Sequence, residues 1–185
     1  PSYDESYYGG VIHEIREMQI MNFGQYAHGN QPAQHIIYLY NWSGQPYKTQ
    51  HWVREVMDRL YRATPDGYCG DEDNGQTSAW YIFSAMGFYP VCPGSNEFVL
   101  GAPYFDHINL NLPNGKTIKI AAERQSSENR YVNSMQLNGK NYDYNYLTRK
   151  DLVQGAKIDF KMSSMPNLQR GTNDEAAPYS FSNEH

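Results

Sequence analysis

The sequence predicts an α+β protein with helices in its first half and antiparallel strands in its second. Up to about position 90, apolar residues recur at helical spacing, whereas after Pro103 they alternate with polar residues. From Pro166 the chain is polar and shows no pattern. We therefore predict a helical part at residues 1–95, an antiparallel β module at 96–165 and an extended tail at 166–185.

Four helices are predicted in the first part. Proline suits the first turn of a helix, because an N–H at that position would have no acceptor within the helix. Glycine suits the position after the last turn. Asp73 and Gln76 resemble a capping box for the last helix. The predicted helices run from about Val11 to Met21, from Pro32 to Ser43-Gly44, from Pro46 through Leu60, and from Asp73 to Met86. They are too few for a complete helical barrel, so we expect part of an all-helical layer or barrel.

The second part has the signals of hairpins. Residues 108–112 alternate, a Pro113-Asn114-Gly115 turn follows, and residues 118–120 alternate again. Asn138-Gly139 forms a second turn of the kind that joins antiparallel strands. Residues 158–162 alternate as well, and a small antiparallel sheet or sandwich is the simplest arrangement.

Composition and charge argue against two classes of function, nucleic-acid binding and membrane spanning. The formal charge is -5 and there is no run of lysine or arginine, so we expect no nucleic-acid partner. No stretch has the roughly 18 apolar residues of a membrane helix, so we expect no membrane span. The 17 tyrosines suit either a carbohydrate-facing surface or a tyrosine-rich core. Cys69 and Cys92 are compatible with one disulfide or two thiols.

Three consecutive acids, Asp71, Glu72 and Asp73, stand just ahead of the fourth helix. The N-terminus of a helix favours ionised carboxylates, which suit metal binding or base catalysis. The alternative is that Asp73 caps the helix, that Asp71 and Glu72 only stabilise it through its dipole, and that nothing binds. An EF-hand is excluded because the positions that need glycine and glutamate hold Gln76 and Ile82. We call residues 70–75 the acid loop.

A second polar segment spans residues 26–35, from Tyr26 through Asn30 and Gln31 to His35, and its part from His28 onward is called the segment at 28–35. Its oxygens suit calcium and its donors suit sugar hydroxyls, while a polar helix entry without ligands is the alternative. The two histidines lie seven apart, which disfavours a zinc site. Glu14 and Glu17, on the first helix, are interpreted as part of a solvated face.

Five ordered motifs together resemble the C-terminal part of glycoside hydrolase family 92. The resemblance covers nearly the whole chain. The motifs are Gly29-Asn30-Gln31-Pro32, Tyr38-Leu39-Tyr40-Asn41, Gly44-Gln45-Pro46-x-Lys48-Thr49-Gln50, the acid loop through Trp80, and Gly87-Phe88-Tyr89-Pro90-Val91-x-Pro93-Gly94.

The resemblance implies an inverting, calcium-dependent exo-α-mannosidase acting on mannose-containing glycans. It also implies an N-terminal β-sandwich and an (α/α)6 barrel, of which this chain would supply the last helices. The remaining N-terminal part of the parent protein would then be a partner of this chain. A periplasmic or secreted location is expected in the same way.

By this resemblance, Asp71 and Asp73 are the general-base carboxylates. His28, His35, Glu72 and Trp80 are candidates for substrate contact, with core packing the alternative for Trp80. The resemblance also implies a bound Ca²⁺, and its candidate ligands in this chain are Asn30, Gln31 and Asp73. Many family members have glutamate where this chain has Gln31, so a charge-based calcium role there is in doubt.

The general-acid glutamate would come from upstream of Pro1, so we predict that the isolated chain is inactive. The competing hypothesis is a noncatalytic carbohydrate-binding β module, which would use the tyrosines at 142, 144 and 146.

Overall fold

The computed structural model describes residues 10–183. The first nine residues of the predicted helical part and the last two of the predicted tail lie outside this range. Helices dominate the first half of the described chain and strands the second, so the predicted α+β class is confirmed. Membership of the helices in an (α/α)6 barrel, and the boundaries at 95/96 and 165/166, stay predictions.

Three longer helices form the first half: α1 at His13–Met21, α2 at Pro46–Leu60 and α3 at Gln76–Met86. Pro46 occupies the first position of α2, as predicted, and α3 ends at Gly87, whose φ of 98° suits glycine. A fourth helix, α4 at Arg149–Val153, lies in the second half and begins with a capping box of Thr148 and Asp151. Between residues 10 and 183, no helix is both long enough and apolar enough to cross a membrane.

The predicted second helix is wrong as a single α-helix. The structure has two 3₁₀ segments there, at Gln31–Ala33 and Ile36–Asn41. Side chains occupy carbonyls that an α-helix would use: Trp80 Nε1 donates to the Gln34 carbonyl at 3.2 Å, and Asn41 Nδ2 donates to the Tyr38 carbonyl at 2.9 Å. Local periodicity cannot reveal the Trp80 donor, which lies 46 residues from Gln34.

Eight strands form two sheets. Their bounds are β1 Phe88–Tyr89, β2 Glu97–Leu100, β3 His107–Asn111, β4 Thr117–Ala121, β5 Tyr131–Leu137, β6 Lys140–Asn141, β7 Tyr146–Thr148 and β8 Ala156–Ser163. One sheet has the order β1-β2-β7 and the other β3-β4-β8-β5-β6. Both predicted hairpins are present, as β3-β4 and β5-β6.

The larger sheet is mixed, which corrects the prediction of a purely antiparallel module. Strand β8 lies between β4 and β5, parallel to the first and antiparallel to the second. Turn signals specify only strands that are neighbours in sequence, whereas β8 pairs with strands that precede it by some 20 to 40 residues.

Two apolar cores meet at Phe83. One lies between the helices and includes Tyr38, Val53 and Trp80, all fully buried. The other lies against the large sheet and includes Ile120 and Ile158. Phe83 packs against both cores, so α3 connects the helical and β parts.

The segment from Pro166 packs against the β part instead of extending freely. Arg170 is buried, and its guanidinium donates to the carbonyls of Tyr142 and Tyr144 and to Asn145 Oδ1 at 3.1–3.3 Å. Ala176 is buried too, and its carbonyl accepts the Asn145 N–H at 2.9 Å. The polar composition of this segment therefore gave no sign that hydrogen bonds hold it against the β part.

Candidate active site

The acid loop leads into α3 through a run of left-handed residues. Asp73, Asn74 and Gly75 have φ values of 51°, 57° and 101°. Asp73 does not cap the helix, which corrects the predicted capping pair with Gln76. Glu72 takes that place: its carboxylate accepts the Gly75 N–H at 2.6 Å and the Ser78 N–H at 3.3 Å. Hydrogen bonds from the Ser78 side chain, and then from the Gly75 N–H, lower the pKa of Glu72.

Capping by Glu72 leaves the other two acids available. Asp71 and Asp73 are both exposed, and neither side chain is needed to begin the helix. The alternative in which Asp73 is the capping residue therefore does not describe this loop.

The two predicted polar segments meet at a pair of glycines. A Cβ on Gly70 would lie 2.6 Å from Gly29 Cα, closer than two carbons can approach without displacement. The backbone of the acid loop thus lies directly against the segment at 28–35. Sequence reasoning selected both segments, and the structure brings them together.

Gln31 and Thr77 fix the backbone of the acid loop beside this contact. Gln31 Nε2 donates to the Asp71 carbonyl at 2.7 Å and to Thr77 Oγ1 at 3.1 Å. Thr77 Oγ1 donates to the same carbonyl at 2.9 Å. A glutamate at position 31 could not make the two donor bonds, because an ionised carboxylate only accepts. The departure from the family motif therefore has a structural role of its own.

A buried polar layer supports this arrangement. Gln34 and Thr77 are fully buried, and Gln34 Nε2 donates to Thr77 Oγ1 and to the His28 carbonyl, each at 3.3 Å. Gln76 Nε2 donates to the hydroxyl of Tyr89 at 2.8 Å. Sequence reasoning missed Gln34 and Thr77, whose only local signal was their position at the start of a predicted helix.

His28 lies inside the protein, with no exposed surface. Its Nδ1 and Nε2 are each 2.7 Å from a tyrosine hydroxyl, of Tyr26 and Tyr61 respectively, and its ring contacts Trp80 edge-on at 4.3 Å. Burial lowers the pKa of His28 to about 3, so the ring is neutral. Trp80 is also fully buried. Both residues support the site from within, whereas His35, the other candidate histidine, is half-buried between the two 3₁₀ segments.

Glu17 is half-buried and not part of a solvated face, which corrects that interpretation. Its Oε1 accepts the Gly29 N–H at 2.6 Å, and it lines the same cavity as Cys69. Burial raises the pKa of Glu17, although the Gly29 bond opposes this rise. Cys69 and Cys92 are both free thiols. No local pattern distinguishes Glu17 from Glu14, because its partner Gly29 lies 12 residues away.

A cavity of about 360 Å³ opens beside Asp71. It is lined on one side by α1 and on the other by the two contacting loops. The lining residues are His13, Arg16, Glu17, Ile20, Met21, Gly29, Cys69, Gly70 and Asp71. A volume of this size is at the lower end of small-ligand sites and suits a single sugar ring.

The donors near the glycine contact fit calcium in kind. Asn30, Gln31 and Asp73 offer amide and carboxylate oxygens, which are the ligands that calcium prefers. Within residues 10–183, no group of three or more His, Cys, Asp or Glu side chains is arranged to hold a metal. The assignment of these three residues to calcium stays a prediction, and it depends on amide and backbone oxygens in addition to carboxylates.

The tyrosines at 142, 144 and 146 do not form a flat platform. Successive rings are inclined by 64° and 52°. Tyr144 is 43% exposed, whereas the Tyr142 hydroxyl donates to the Tyr146 carbonyl at 2.9 Å. One exposed ring is a weaker carbohydrate surface than the pattern suggested.

Comparison with known proteins decides the family. The sequence matches the Glycosyl hydrolase family 92 catalytic domain over residues 4–164. The chain belongs to glycosyl hydrolase family 92. A family GH92 α-mannosidase from Bacteroides thetaiotaomicron is 46% identical, with a TM-score of 0.83 over 85% of this chain and 21% of that one. A family GH92 inverting mannosidase from Bacteroides thetaiotaomicron VPI-5482 is 54% identical, with a TM-score of 0.83 over 98% of this chain and 25% of that one.

A curated relative extends the likeness beyond bacteria. An uncharacterized secreted glycosidase of Arthroderma benhamiae is 26% identical over 137 residues, which are 72% of this chain and 18% of that protein. The family predicted from the five motifs is confirmed. This chain spans a quarter or less of the length of each of these relatives.

Proposed function

We propose that this chain supplies the general-base side of an inverting α-mannosidase, with Asp71 and Asp73 activating the attacking water. One observation carries the proposal. The acid loop presents two exposed carboxylates whose backbone is fixed by Gln31 and Thr77, in a family whose similar solved members are α-mannosidases. Fixed backbone and free carboxylates are what a general base needs in order to hold a water in line with the bond that breaks.

The chemistry requires a second carboxyl group from outside the chain. An inverting glycosidase has its base and its acid on opposite faces of the sugar, about 6.5 to 9.5 Å apart. Asp71 and Asp73 lie on one short loop and therefore on one side of a bound sugar. The acid that protonates the departing oxygen then comes from the remaining, N-terminal part of the parent protein. The isolated chain is accordingly inactive in this proposal.

Calcium belongs to the same proposal, with Asn30, Gln31 and Asp73 as its ligands from this chain. When bound, the ion would engage the O2 and O3 hydroxyls of mannose and favour a distorted ring. Calcium prefers six to eight oxygen ligands, so further ligands would come from backbone carbonyls, water and substrate. The structure of one Bacteroides relative contains mannoimidazole, and superposing this chain on it would give a position for the sugar.

The natural substrate in this proposal is a mannose-containing glycan. The location is extracytoplasmic, either periplasmic or secreted, and the curated relative described as a secreted glycosidase supports this.

The test uses the full-length protein that contains this chain. Asp71→Asn and Asp73→Asn should each lower kcat on an α-mannoside by about 10²- to 10⁴-fold, with a much smaller change in KM, because a base acts on the attacking water. Asp66→Asn is the matched control, since Asp66 is an exposed acid five residues upstream of Asp71. Proton NMR of the first product should show the β anomer. Near-normal kcat in both variants would refute the base assignment.

A second measurement addresses calcium. Chelation with EDTA should abolish activity on the α-mannoside, and added Ca²⁺ should restore it. Full activity after exhaustive chelation would contradict the calcium assignment and leave the base assignment standing.

A further inference from the structure

Glu17 joins three elements at one point. It lies on α1, and its Oε1 accepts the N–H of Gly29 at 2.6 Å. A Cβ placed on Gly29 would lie 2.8 Å from Glu17 Oε2 and 2.9 Å from Gly70 Cα. The carboxylate therefore sits in contact with the junction at which the acid loop meets the segment at 28–35.

The same carboxylate also lies beside the residue that precedes this junction. Cys69, two positions before Asp71, is half-buried and lines the same cavity as Glu17, Gly29 and Gly70. Burial, together with the neighbouring carboxylate of Glu17, raises the pKa of Cys69 to about 12, so the thiol keeps its proton at neutral pH. Glu17 thus binds one of the two segments that form the site and lies beside the other.

We propose that Glu17 is a positioning residue that holds the acid loop, and with it Asp71, against the Gly29 segment. The proposal rests on the assignment of Asp71 as a base. Asp71 is then held from two directions: Gln31 and Thr77 bind its carbonyl, while Glu17 binds the N–H of Gly29, the residue against which Gly70 packs. Without Glu17 this second support is lost and the first remains, so the Asp71 carboxylate should lose alignment without the loop unfolding.

The experiment uses the full-length protein with Glu17→Ala and Glu17→Gln. Glutamine keeps the shape and an acceptor oxygen, so it should rescue the effect of alanine. Glu55→Gln is the matched control, because Glu55 is also a half-buried carboxylate on a helix but pairs with Arg130 and Arg59, away from the acid loop. If Glu17→Ala does not fold, Glu17→Asp replaces it, since aspartate is too short to reach the Gly29 N–H.

Two measurements distinguish positioning from general support. In Glu17→Ala, kcat on an α-mannoside should fall by about 10- to 100-fold while KM changes by less than about threefold, as for other residues that orient catalytic groups. The rate of Cys69 alkylation should rise by at least about tenfold, because a loosened junction exposes the half-buried thiol and the neighbouring negative charge that raises its pKa is gone. Cys92 is exposed in the same chain and gives an internal reference rate that should not change.

The outcomes are separable. Unchanged kcat and unchanged Cys69 alkylation in Glu17→Ala would overturn the proposal. So would a Glu17→Gln variant as impaired as Glu17→Ala, because the charge and not the hydrogen bonding would then matter. If the unmodified protein has no mannosidase activity, the proposed function fails, and Cys69 alkylation alone decides whether Glu17 holds the loop.

Discussion

Replacement of His28 by glutamine should make the stability of the chain less sensitive to acid. The pKa of His28 falls from its ordinary 6.5 to about 3 because the ring is buried. Below pH 6.5 the His28 ring is protonated in the unfolded chain but stays neutral in the folded chain. The free energy of unfolding therefore decreases as pH falls from 6.5 towards 3. Each pH unit costs about 1.4 kcal/mol, which gives about 2.7 kcal/mol at about pH 4.5.

The measurement is equilibrium unfolding in urea between about pH 7 and pH 4.5 for both proteins. At pH 7 the glutamine variant should be less stable by about 1–3 kcal/mol, because the paired bonds to Tyr26 and Tyr61 are made less well. That gap should close by about 2.7 kcal/mol as pH falls, since glutamine does not titrate. Shifts at Glu17 and His51 affect both proteins equally and cancel in the difference. A gap that stays constant across this range would show that His28 titrates normally and would refute the reasoning.

Two other substitutions test the supports of the site and of the β part. Gly70→Ala should destabilise the protein by about 1–3 kcal/mol, because the new Cβ would lie 2.6 Å from Gly29 Cα, and thermal unfolding measures the loss. Gly94→Ala, where no atom lies within 4 Å of the new carbon, is its control, and equal Tm values for the two variants would contradict the close contact. Arg170→Met should cost about 2–4 kcal/mol, since it leaves acceptors at residues 142–145 unpaired, and it should expose the segment from Pro166 to limited proteolysis. Unaltered cleavage there would show that the segment is held by other contacts.

Sequence patterns predicted the elements whose causes are local. Pro46 at the start of α2, Gly87 after α3 and the Asn138-Gly139 turn each act within a few residues, and each lies where the pattern indicated. The prediction of a continuous second helix failed, because the Gln34 carbonyl accepts a hydrogen bond from Trp80, 46 residues away. The position of β8 could not be read either, because its partners are fixed by the core they share and not by a turn.

The residues of the candidate site also divide into those that a local sequence pattern reveals and those that it does not. The acids and the polar segment were visible because each is a compact run of functional residues, although the choice of Glu72 over Asp73 as the cap depended on backbone angles that the sequence does not state. Glu17 and Thr77 were not visible, because each acts on a residue that is distant in sequence or on a backbone carbonyl. Contacts of this kind leave no local periodicity.

The substitution at position 31 shows why residue type alone misjudges such a site. Judged by charge, glutamine in place of glutamate weakens a calcium ligand. Judged by hydrogen bonding, it adds two donor bonds that join the Gly29 segment to the Asp71 carbonyl and to Thr77. These bonds hold the backbone of the acid loop at Asp71, while Glu17 binds Gly29 on the neighbouring segment. If the acid loop supplies the base, as we propose, its fixed backbone is useful only together with a second carboxyl group that is held equally firmly across the sugar.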